Sequence, residues 1–195
     1  MNNPNEVKDL ALRGTELAAK LFGVVVPPIG AIGVLIEAVN ERRTKSQIER
    51  LEKLVTLVCE RLDRCENKIF EPSDRRLIDD ILTKAVMDED ERKTDFYAAL
   101  VEYSVSGDRN PYEVRLLVEA FKTLTIHEIE AFVHFNKHEA LRHDIPEELR
   151  EIFWDRALYL GLHQRGKVGR PEYTTLLGQK FLEVCKLAKS QHGEE

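Results

Sequence analysis

Apolar side chains recur at helical spacing along almost the whole chain. Residues 5–22 place Val7, Leu10, Ala11, Ala18, Leu21 and Phe22 at intervals that suit one helix. Pro27-Pro28 ends it, because proline lacks the amide donor and clashes with the preceding turn. A second helix can start at Pro28 or Ile29 and run to about Asn67. Within it Ile48, Leu51, Val55, Val58, Leu62, Cys65 and Ile69 step alternately by three and four residues. That is the a/d seam of a coiled coil, and Leu54 and Leu57 widen it toward a bundle. Glu71-Pro72-Ser73 reads as a boundary, with Ser73 positioned to cap a helix over 74–86. Acidic residues 88–91 favour the start of a helix over 90–106, with Phe96, Leu100 and Tyr103 inward and Ala99 beside them. Asn110-Pro111 opens a helix over 111–123, with Val114, Leu117, Val118 and Phe121 inward.

The last seventy residues change character. Thr125 caps a helix over 126–138. Pro146 opens a short helix over 146–152, and a third covers 153–163. A basic, glycine-bearing loop from Gln164 to Pro171 follows. Tyr173-Thr174-Thr175 then reads as a short returning strand before a final helix from Leu177 to Leu187. The expected division is an apolar helix plus the heptad-bearing helix over 1–70, a helical middle segment over 72–123, and a third unit over 124–195.

Three helices, a glycine-marked hairpin and a last helix resemble a winged helix-turn-helix domain. The residues that carry the likeness are Leu158-Tyr159-Leu160-Gly161-Leu162, Tyr173-Thr174-Thr175-Leu176-Leu177-Gly178 and Phe181-Leu182. The resemblance implies that Leu160-Gly161-Leu162 ends the third helix, and that Thr175 and Gly178 open the last. The frame has Leu-Thr where this chain has Thr174-Thr175. The whole chain is also similar to bacterial helical proteins of unknown function, through Arg50-Leu51-Glu52 and Lys93-Thr94-Asp95-Phe96-Tyr97-Ala98-Ala99-Leu100. The expected fold class is therefore mainly α, an N-terminal helical hairpin and bundle followed by a winged-helix-like domain with at most a short β-hairpin.

Composition narrows the chemistry. The 195 residues are 43% hydrophobic and 33% charged, with a net charge of -6. Such a chain forms a core, and any polyanion would need a local basic patch. Three cysteines without a CxxC pair (Cys59, Cys65 and Cys185) exclude a thiolate zinc site and point to a reducing, cytoplasmic setting. The N-terminus lacks the basic-then-apolar build of a signal peptide.

Four surfaces stand out as candidates. Arg156, Arg165, Lys167 and Arg170 gather near the hairpin and could meet nucleic acid or a protein partner, although Glu147, Glu148 and Glu151 precede them. Ile48, Leu51, Val55, Val58 and Leu62 offer a seam for self-association. Leu21 to Ile36 carries no charge and includes Gly23, Gly30 and Gly33. It is too short to span a bilayer as one helix, but as a hairpin it could enter a membrane. His127, His134 and His138 share one helix face, and His134 with His138 has the spacing of a zinc-chelating pair. No HExxH, GxSxG or GxxxxGK[ST] accompanies them. The expected protein is a non-enzymatic regulatory or accessory factor without a cofactor. It self-associates through its N-terminal helices and meets nucleic acid or protein through its C-terminal module. The alternative is a membrane-active effector that uses residues 21–36.

Overall fold

The computed structural model describes residues 45–64, 72–106, 109–137, 147–165 and 173–190. The expected helix over 5–22, the proline pair and the apolar run at 21–36 lie outside these residues. The described residues are mainly α-helical. The helices are α1 (Lys45–Asp63), α2 (Pro72–Met87), α3 (Thr94–Val105), α4 (Pro111–Thr123), α5 (Ile126–Lys137), α6 (Glu147–Tyr159) and α7 (Leu176–Lys189). A 3-10 turn, Glu91–Lys93, precedes α3. Between α6 and α7 two short antiparallel strands, β1 (His163–Gln164) and β2 (Tyr173–Thr174), pair His163 with Thr174 and Gln164 with Tyr173.

The bundle is organised around α3. Ten of the twelve residues of its sequence, TDFYAALVEYSV, are buried, and the two that are not, Asp95 and Glu102, pair with Lys53 and Arg61 of α1. A helix so largely buried needs neighbours on most sides, and α1, α2, α4 and α7 all pack on it. The single inward face expected from Phe96, Leu100 and Tyr103 thus underestimates its burial. Two of its buried hydroxyls find partners within the adjoining turn, whereas the buried Tyr103 hydroxyl has no hydrogen-bond partner among the described residues. Ser104 donates to the Val101 carbonyl at 2.7 Å, and Thr94 donates to that of Glu91 at 2.7 Å. Each exchange spares the cost of an unmatched buried donor.

The heptad seam of α1 is filled from within the chain. Leu54, Val55, Val58 and Leu62 are buried in the common core, and α1 lies along α3. Val55, Val58 and Leu62, expected to offer a surface for self-association, are thus covered by helices of the chain itself. The side chains of Ile48 and Leu51 lie outside the described residues. The 3-4 spacing was a true signal of helix packing, but the pattern has no means of specifying which helix fills it.

Two further elements depart from the pattern. The acids before α3 do not begin an α-helix. Asp90 accepts from the Arg92 backbone N–H and caps the 3-10 turn. Asp88 Oδ1 accepts from the Asp90 backbone N–H at 3.0 Å. Its Oδ2 accepts from Lys93 Nζ at 3.0 Å and from the Tyr97 hydroxyl at 2.7 Å. This buried hub, not the helix dipole, sets the entry to α3. The helices expected at 146–152 and 153–163 are one continuous helix, α6. Its sequence, EELREIFWDRALY, holds no glycine or proline to break it.

Aromatic rings link the bundle to the hairpin. Phe96 stacks on Phe121, and Phe121 stacks on Phe181 with centroids 4.3 Å apart. Phe181 meets Phe132 edge-on, and Phe132 meets Phe153. Phe153 adjoins Trp154, whose indole lies 4.5 Å from the ring of the buried His163 in β1. Side chains from all three expected segments therefore share one core.

Candidate partner-binding surface

The hairpin stands on a junction that the sequence specifies closely. At the end of α6 the Gly161 N–H donates to Leu158 at 3.0 Å and the Leu162 N–H donates to Ala157 at 2.9 Å. These are the paired bonds of a Schellman cap, and they need a left-handed residue, which Gly161 supplies with φ 70°. Leu162, the next residue, is buried. The chain then returns through β2 to Thr175. The Thr175 hydroxyl donates to the Gly161 carbonyl at 2.5 Å and accepts from the Gly178 N–H at 3.0 Å, capping α7. The Thr175 N–H donates to the Leu162 carbonyl at 3.1 Å. A Cβ on Gly178 would sit 2.1 Å from that same carbonyl oxygen, so only glycine lets α7 approach. The leucine-glycine-leucine, threonine and glycine pattern noted in the sequence is thus a description of this joint.

Beside the joint, α6 presents a polar and aromatic face. Phe153 and Ala157 point into the core. At about 100° per residue, Asp155 and Tyr159 fall on the opposite side, one turn apart. Tyr159 is 88% exposed, and Leu176, at the start of α7 next to Thr175, is 65% exposed. Arg165, 70% exposed at the end of β1, donates to Asp155 at 2.5 Å. In the sequence Tyr159 figures only within the Leu158–Leu162 stretch of the winged-helix likeness, with no partner role. The usable signal was its position two residues from Ala157, off the buried face.

Arg156 is engaged within the chain. It donates to both carboxylate oxygens of Glu128, at 3.0 and 3.1 Å. Glu128 in turn accepts from the N–H and hydroxyl of Thr125, at 2.7 and 2.9 Å, in a capping box that starts α5. Arg156 therefore ties α6 to the first turn of α5 and is already engaged. Lys167 and Arg170 lie outside the described residues. Of the four basic residues expected to act together, the structure shows two, each in an ion pair with an acid.

The histidine face is as expected in orientation only. Ile126, Ile129 and Val133 are buried, while His127 and His134 are exposed and His127 approaches Glu130 at 3.6 Å. His138 lies outside the described residues, and among those residues no three metal-ligating side chains come together. The Asp88–Lys93–Tyr97 group mixes an acid, an amine and a phenol, but all three side chains are buried. Burial, reinforced by the hydrogen bond to Asp88, pushes the Tyr97 phenol far above its ordinary range. Its geometry serves the turn between α2 and α3. Burial likewise raises the Cys185 thiol well above its usual value, and so disfavours the reactive thiolate. No helix among the described residues is long and apolar enough to cross a membrane.

Comparison with protein-family models, curated proteins and solved structures matches none of them to this chain.

Proposed function

We propose that this chain is a non-enzymatic helical accessory protein that contacts a protein partner through the surface formed by α6, the β1–β2 hairpin and α7. The order α4, α5, α6, hairpin, α7 suits a winged-helix-like module, with α4 as its first helix, in place of the two short helices anticipated near residue 152. In such a module α6 occupies the place of the recognition helix.

The observation that carries the reading is that Tyr159, at the end of α6, and Leu176, at the start of α7, are both strongly exposed apolar side chains on the two helices that the Thr175–Gly161 hydrogen bond joins. Aromatic and aliphatic anchors on a fixed scaffold are the usual centre of a protein interface. Nucleic acid fits less well. The described cations here, Arg156 and Arg165, are each paired with a carboxylate. The sequence of α6 adds Glu147, Glu148 and Glu151, and acids along a recognition helix repel phosphates.

The test is fluorescence anisotropy of a labelled random-sequence duplex titrated with the full chain at low and moderate salt. Weak binding, no stronger than a general polyelectrolyte response, is expected. Tight, saturable binding that Lys167→Glu with Arg170→Glu removes would overturn the reading and restore nucleic acid as the partner.

A further inference from the structure

We draw no further inference here: the strongest candidate, the α6–hairpin–α7 face with its exposed Tyr159 and Leu176, carries nothing beyond the reading above, because nothing in the structure shows what covers it.

Discussion

Arg61 on α1 and Glu102 on α3 form an ion pair in which the arginine is wholly buried, at 0% side-chain exposure. The same guanidinium donates to the Leu187 carbonyl of α7 at 3.2 Å. One side chain thus joins the first described helix, the central helix and the last. A buried charge is tolerated only when it is paired and hydrogen-bonded, and removing one partner leaves the desolvation cost uncompensated. Arg61→Met should therefore destabilise the fold by roughly 3 kcal/mol in urea denaturation. Adding Glu102→Leu should recover much of that loss, because an apolar pair of similar volume pays no desolvation. A double variant no better than the single one would show that the pair does not act as a unit.

The reassignment of the heptad seam has its own test. Val58 is completely buried. Val58→Ala should lower stability by roughly 2 kcal/mol, through lost burial and the cavity left behind. Its oligomeric state should match that of the wild type at concentrations where both are folded. Selective loss of self-association without a loss of stability would return the seam to an interface between copies.

The two glycines of the α6–α7 joint should respond very differently. Gly161→Ala makes only an ordinary van der Waals contact, with Leu177 Cδ2 at 3.8 Å, and its cost is that of the left-handed backbone. That is about 1–2 kcal/mol. Gly178→Ala drives a methyl group to 2.1 Å from the Leu162 carbonyl oxygen and 2.6 Å from Thr174 Cγ2. The backbone on both sides must shift, and a loss of about 4 kcal/mol or more is expected. Thermal melts of the two variants decide between them, and equal losses would contradict the geometry.

These cases show what the sequence makes legible. The mainly α class follows from periodicity. The ends of α4 and α7 follow from Asn110-Pro111 and Thr175, whose caps act within a few residues. The break expected near residue 152 had no local breaker behind it, since EELREIFWDRALY holds neither glycine nor proline. The roles of Arg61 and Arg156 were not legible. Each is set by a carboxylate far away in the chain, Glu102 in one case and Glu128 in the other. Spacing reveals which side of a helix is apolar, but not which distant acid will meet a cation. Tyr159 was accessible to the helical wheel, since its position opposes Ala157.

Asp79 on α2 carries a pH signature. Burial raises its carboxyl above the ordinary value, and the neighbouring Asp80 raises it further. Its Oδ1 is buried with no hydrogen-bond partner among the described residues. A raised carboxyl holds its proton more tightly in the folded than in the unfolded state. This group therefore adds stability as the pH falls through its raised pKa toward the ordinary carboxylate value, and opposes folding at neutral pH. Asp79→Asn should raise the melting temperature at pH 7 by about 2 °C or more, and the gain should shrink on acidification. A gain independent of pH would assign the effect to packing instead of charge.

The most direct test of the central claim is site-specific photocrosslinking from position 159 in the full chain, inside cells that make it. A matching probe at Glu119, on the exposed side of α4, serves as the control. The account predicts a discrete protein adduct from position 159 that the control does not give, and that Leu176→Ser diminishes. A nucleic-acid adduct from position 159, or the same diffuse labelling from both positions, would contradict it.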